Sequence, residues 1–332
     1  MNSNLNMKKI CILLIFFLFI FSLISLIIGN IKISPNDIIG SLLNSDSIDS
    51  SIKTIVLNVR LPRIIMSILI GMLLASSGTV VQTVFQNPLA DPYIIGISAS
   101  ATFGAVIAFI FDLPDIMYGI FGFITSVTVA LIIFRLSKTK TRTDITTLLI
   151  VGIAISSFLG AFTSFSMYLI GQDSFRIVTW MMGYIGAASW GKIFILIIPL
   201  FISVIYFYLK RHDLDLLLSG DEESHSMGVD VGKLKKNTLI ISALIVGFSV
   251  AFTGMIGFVG LIAPHTVRLL TKSSSNTKLI PLSTLGGGLF LLICDTIGRT
   301  LLSPIEIPIG VVTAFFGAPF FLYLAMKRKK GG

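Results

Sequence analysis

The chain has 332 residues, 54% of them hydrophobic and only 12% charged, with a mean hydropathy of +0.95. A water-soluble core cannot bury that much apolar surface, so a soluble enzyme is excluded and an integral membrane protein is expected. The net charge of +9 would suit a nucleic-acid binder, but its distribution along the chain orients a membrane protein instead.

Taken in chain order, apolar runs without charges occupy residues 10–29, 64–85, 93–111, 116–134, 145–171, 193–209, 237–257, 258–267, 279–298 and 307–326. At roughly 20 residues per crossing, they predict an all-α membrane protein of about ten transmembrane helices, the eighth short. The first run follows Lys8 and Lys9, as a signal peptide would. It is too long for a typical signal core, and Gly29-Asn30-Ile31 is no small-x-small cleavage site, so it reads as a span. With the N-terminus inside, 18 of the 25 Lys and Arg fall in the cytoplasmic segments 8–9, 135–142, 210–236, 268–278 and 327–330. That bias follows the positive-inside rule and places both termini in the cytoplasm.

Two stretches 176 residues apart resemble each other. Gly71, Ala75, Gly78 and Pro88 align with Gly247, Ala251, Gly254 and Pro264. The matched residues are small or proline, the types that let helices approach closely or break. Spans 2–5 and 7–10 then form two halves offset by five crossings. Because five is odd, the halves run in opposite directions, which makes an inverted repeat of the kind that builds transporters.

Between the spans, an external loop at 30–63 carries Arg60-Leu-Pro-Arg63, and an external segment at 172–192 carries Trp180 and Trp190. The cytoplasmic loop at 210–236 is long enough to hold structure or a partner site. Small residues recur four apart at Gly152, Ser156, Gly160 and Ser164, and at Gly96, Ser100 and Gly104. Such ridges serve close helix packing or a smooth transport path.

No phosphate-cradling Gly-x-x-x-x-Gly-Lys-Ser/Thr string is present, nor His-Glu-x-x-His, nor Gly-x-Ser-x-Gly. The chain is therefore expected to be no enzyme, to carry no cofactor or metal, and to draw on a partner or an ion gradient for energy. Cys11 and Cys294 both fall in spans and read as small buried hydrophobes. His265 reads as an interfacial hydrogen-bonded histidine ahead of a pH switch. Asp295 is an intramembrane acid, with Arg299 one turn away as a candidate partner.

Arg60-Leu-Pro-Arg63, the small-x-Ser-Gly-x-x-x-Gln string ending at Gln82, and Asn87-Pro88-Leu89-Ala90-Asp91-Pro92 together resemble one known family. The string from Gly254 through Gly257, Gly260, Pro264 and His265 to Arg268 adds to the likeness. Asp295-x-x-x-Arg299 and the run from Pro304 and Glu306 to Gly317 and Pro319 complete it. The chain resembles the FecCD-type permease subunits of binding-protein-dependent ABC importers for iron chelates and cobalamin. In that pattern, span 1 is 8–29, the first repeat 63–171, span 6 193–209, the coupling segment 210–236 and the second repeat 237–326. All of these lie in one permease domain over 1–332.

The resemblance implies separate ABC ATPase subunits below, an external substrate-binding protein above and a second permease subunit, identical or related, in the bacterial cytoplasmic membrane. It implies docking of the binding protein on Arg60, Arg63 and Arg299, and ATPase coupling through Gly220, Asp221, Glu222, Glu223, Met227 and Gly228. It implies a translocation path along Gly152, Ser156, Gly160, Ser164, Thr313 and Gly317, with Thr146 and Thr147 at an inner gate. An iron chelate (siderophore or haem) is the leading substrate, with cobalamin and an oxyanion such as molybdate as alternatives. The chain departs from the family at Ser224 and Met227, where alanine and leucine are usual. It also has Ser275-Asn276-Thr277-Lys278 where an acid-histidine-arginine string is common. The rival from another class is an ion-coupled secondary transporter, which needs an acid or histidine near the midplane.

Overall fold

The computed structural model describes residues 7–137 and 145–330. Lys138, Lys140 and Arg142, counted above among the cytoplasmic cations, lie outside the described residues. The described residues are helical throughout their regular structure. Seven helices are long and apolar enough to cross a membrane, and two shorter apolar helices accompany them.

α1 (Met7–Ile27) is apolar around its whole circumference, and most of its side chains face outward. The segment expected as an external loop at 30–63 is instead mostly helical. α2 (Pro35–Leu42) starts on a Ser34 cap whose Oγ accepts from the Asp37 amide at 3.1 Å. α3 (Ser50–Thr54) starts on Asp49, whose carboxylate accepts from the Ser51 amide at 2.7 Å. A π-helical turn, Ile55–Arg60, then runs straight into α4 (Leu61–Val84). Arg60-Leu-Pro-Arg63 therefore opens a spanning helix. Pro62, which has no N–H to donate, follows directly on the π-helical turn, where the regular backbone ladder is already interrupted.

α4 is the most buried of the long helices and forms the axis of the protomer. It ends before the 87–92 turn, and a single 3-10 turn (Pro92–Ile95) leads to α5 (Ile97–Ile110) through Gly96, whose φ of +77° suits a glycine. Gly96 thus caps α5 and is not part of the helical ridge with Ser100 and Gly104. α6 (Asp115–Leu136) and α7 (Ile145–Ile170) complete the first half. The external segment folds as α8 (Ser174–Met181), and α9 (Trp190–Leu209) returns through the membrane with large apolar side chains such as Phe194, Ile198 and Phe201 facing out. Between α9 and α12 lie α10 (Arg211–Leu217) and α11 (Asp221–Ser226). α12 (Val231–Thr253), the short α13 (Val259–Thr271), α14 (Asn276–Thr300) and α15 (Ile309–Lys330) form the second half.

Small residues set the packing at several helix contacts. Gly71 and Ala75 of α4 press on Gly287 of α14, whose added Cβ would overlap the Ala75 side chain. Their counterparts Gly247 and Ala251 of α12 press on Phe123 and Gly119 of α6 in the same manner. Gly78 meets the Gly260 backbone so closely that a Cβ there would overlap its carbonyl. In lipid no hydrophobic driving force joins helices, so such backbone approach carries much of the association.

Candidate functional site

A broad concavity lies between α7 and α15, floored by the residues after α4 and α12. Two lobes of about 790 Å³ and 530 Å³ share Asp91, Tyr93, Ser98, Met181 and Met255. Ser156, Gly160 and Ser164 line the smaller lobe, as the helical spacing predicts. Gly152 lies one turn earlier and offers its carbonyl to Ser156 Oγ at 2.7 Å. Val311, Ala314, Phe315 and Ala318 supply the α15 wall of the larger lobe. Thr313 and Gly317 do not. Thr313 is buried and donates to the Gly310 carbonyl at 3.0 Å, and Gly317 packs on Phe258. Thr146, exposed, and Thr147, half-buried, stand in the first turn of α7.

The sequence reading missed the methionines. Met181 and Met182 enter the cavity because the chain after α8 docks on the second half. There Tyr184 N donates to the Thr253 carbonyl at 2.7 Å, and Gly310 N to the Met182 carbonyl at 3.0 Å. Met255 follows the break at Gly254, and its sulfur accepts from Ser98 Oγ. Asp91 and Tyr93 are the only titratable groups among the lining residues. Asp91 is partly occupied locally, since its Oδ1 accepts from the Tyr93 amide at 2.8 Å. Such a wall offers thioether, aliphatic and hydroxyl contacts with little fixed charge.

At the other end of α4, the three arginines expected to meet an external protein are engaged inside this one. Arg60 is buried and donates to the carbonyls of Leu26, Ile27 and Ile31, which satisfies the otherwise orphaned C-terminal end of α1. Arg299 is buried too and donates to the Ser25 carbonyl and hydroxyl. Arg63 forks onto Asp295 through Nε and a terminal nitrogen, each 3.0 Å from Oδ1, and its other terminal nitrogen reaches Glu306 at 3.0 Å. Asp295 takes Arg63 as its main partner, and Arg299 stands 3.9 Å away. His265 lies edge-on to Phe320 and Phe321, and its Nδ1 has no hydrogen-bond partner among the described residues.

In the segment between α10 and α12, Gly220 (φ +122°) and Gly228 (φ +88°) bracket α11. Asp221 turns inward to Lys235, which is 2% exposed, at 2.6 Å. Glu222, Glu223 and Met227 face outward. Ser224, where the family usually has alanine, is buried and donates to the Leu216 carbonyl at 2.8 Å, which knits α11 to α10.

A bundle of apolar, closely packed helices around a smooth cavity, with a short acid-rich helix between α10 and α12, defines a multi-pass membrane transport subunit. The chain matches the FecCD transport family over residues 14–327 and belongs to that family, the permease subunits of ABC importers. It is 37% identical to an ABC transporter permease protein of Methanocaldococcus jannaschii, over 97% of this chain and 96% of that one. It is 36% identical to the hemin transport system permease protein HmuU of Yersinia pestis, over 93% and 94%. The fold matches a solved inward-facing ABC transporter of metal-chelate type with a TM-score of 0.84, at 29% identity, covering 97% of this chain and all of the other.

Proposed function

We propose that this permease carries an iron chelate, a siderophore or haem complex, across the cytoplasmic membrane. It does so as half of a two-fold permease pair with two ATPase subunits below and a substrate-loaded binding protein above. Ten crossings with both termini inside, arranged as an inverted repeat, complete the reading: the seven long helices, α5, the short α13 and α15.

The observation that carries the substrate class is the cavity wall. A large chelate handed over by a binding protein must be enclosed without being held, and few charged ligands are wanted there. Methionine, phenylalanine and small residues with a single carboxylate meet that requirement. Similar permeases are named for hemin in Yersinia pestis and for Fe(3+)-citrate in Bacillus subtilis, which supports iron chelates first. Others are named for cobalamin in Halobacterium salinarum and molybdate in Haemophilus influenzae, which keeps those as alternatives.

Glu222, Glu223 and Met227 form the outward face offered to the ATPase, while Asp221, Gly220 and Gly228 shape the segment from within. The inner gate is assigned to Thr146 and Thr147, and the path to the α7 face of Gly152, Ser156, Gly160 and Ser164. Thr313 and Gly317 support the α15 wall from behind. Docking on the external side centres on Arg63, the least buried of the three arginines, with Arg60 and Arg299 holding α1 in place beneath it.

The test is uptake into proteoliposomes holding this chain with its genomically adjacent ATPase and binding protein, offered ferric siderophore, haem, cobalamin and molybdate separately. Accumulation of an iron chelate above the others is expected. Accumulation of cobalamin or molybdate alone would replace the proposed substrate.

A further inference from the structure

Asp215 lies on α10, just ahead of the acidic α11, yet its carboxylate serves a different helix. Oδ1 accepts from the Asn276 backbone N–H at 2.5 Å and from the Asn276 side-chain amide at 2.9 Å. Oδ2 accepts from Ser275 Oγ at 2.7 Å. One of the free N–H groups at the start of α14, that of Asn276, is thereby satisfied from across the fold. Asn276 is fully buried and passes the contact onward: its Oδ1 accepts from Thr83 Oγ1, in the last turn of α4, at 3.0 Å. A parallel bond runs from Gln86 Nε2 to the Leu217 carbonyl at 2.7 Å.

α4 and α14 already pack backbone to backbone through Gly71 and Gly287, and these bonds tie α10 to both. On one side, α11 is fixed to α10 through Ser224 and the Leu216 carbonyl. On the other, α4 leads directly to the 87–92 turn, whose Asp91 stands on the cavity wall. Breaking a buried amide or carboxylate contact leaves polar groups unsatisfied in a low-dielectric interior, so the bonds favour movement as one body.

We infer that the Asp215–Asn276–Thr83 chain is the linkage that delivers movement of the 220–228 segment to α4 and α14, and hence to the cavity. This rests on the reading of 220–228 as the ATPase coupling segment. Asp215, Asn276 and Thr83 are positioning residues. None of the three lines the cavity.

The quantity that tests the linkage is substrate moved per ATP hydrolysed in the full reconstituted complex. Asp215→Ala removes the carboxylate. Thr83→Val removes one buried hydroxyl in a near-isosteric side chain, so it reports even if the first variant fails to assemble. In both, hydrolysis stays near wild type while transport per ATP falls about threefold to thirtyfold. The double variant falls no further than Asp215→Ala alone, since both break one chain. Two results would overturn the linkage: an unchanged ratio in the assembled variants, or a parallel fall of hydrolysis and uptake that leaves the ratio intact. A failed importer reading shows itself separately, as ATP hydrolysis without any uptake by the wild type.

Discussion

Arg63 and Asp295, 232 positions apart in sequence, meet as a fork-on-fork pair at the N-terminal end of α4. The pair ties the first turn of α4 to α14, and Glu306 in the connection to α15 closes it from the other side. An acid inside a membrane helix draws attention as an ion-coupling site. Here the carboxylate is 2% exposed and matched to a guanidinium, which makes it part of the frame.

Asp295→Asn should therefore be strongly destabilising, by about 3–5 kcal/mol, because it leaves the buried Arg63 and Arg299 with one fewer counter-charge. Glu306→Gln, at a partly exposed position, should cost less than about 1 kcal/mol. Unfolding of the two variants in mixed detergent micelles measures the difference. Equal effects would contradict the assignment of Asp295 as the central partner.

Lys235 and Asp221 allow a double-variant test of the cytoplasmic segment. Asp221→Leu leaves a lysine buried without a partner and should destabilise by about 3–5 kcal/mol. The double variant Asp221→Leu, Lys235→Met should recover much of that loss, since an apolar pair of similar volume does not strand a charge. No recovery would mean that the acid contributes mainly through contacts other than Lys235.

Two glycines predict opposite outcomes for the same substitution. Gly78→Ala places a methyl group against the Gly260 backbone, which has no side chain to move aside. The expected loss is about 3 kcal/mol, the upper part of the over-packing range. Gly160→Ala meets nothing within 4 Å, and alanine is the better helix former by up to about 1 kcal/mol. It should fold as well as the wild type. Thermal unfolding of both proteins in detergent decides the matter.

Much of this was legible in the sequence, for identifiable reasons. Gly71 and Ala75, and their counterparts Gly247 and Ala251, signalled close packing because small residues at helical spacing have few other uses in a span. The α7 ridge stood out by the same spacing, but spacing alone left packing and a transport path open, and the open space around Gly160 shows that it faces the cavity. The roles of Arg60 and Arg299 were not, because their partners are backbone carbonyls near the end of α1, which any sequence would provide. Met181, Met182 and Met255 carry no periodicity, and only the docking of the segment after α8 brings them together. Thr313 and Gly317 fell on the buried side of α15 because an apolar, glycine-containing helix does not reveal which face it turns to a cavity.

Asp91 separates the two energy sources at the level of one atom. If transport were driven by an ion gradient, this carboxylate on the cavity wall would be the natural coupling group, since Asp295 is already paired. Asp91→Asn keeps the acceptor oxygen that caps Tyr93 while removing the charge. An ATP-driven permease should retain most of its uptake in this variant, within about threefold of wild type. Loss of about a hundredfold, with the protein correctly folded, would favour ion coupling.

The most direct measurement is chelate accumulation in proteoliposomes that hold the complete complex, with ATP inside and the proton and sodium gradients collapsed. Accumulation that requires internal ATP and the binding protein, and is indifferent to both gradients, is the expected result. Accumulation that ignores ATP and disappears when either gradient is collapsed would contradict the importer reading.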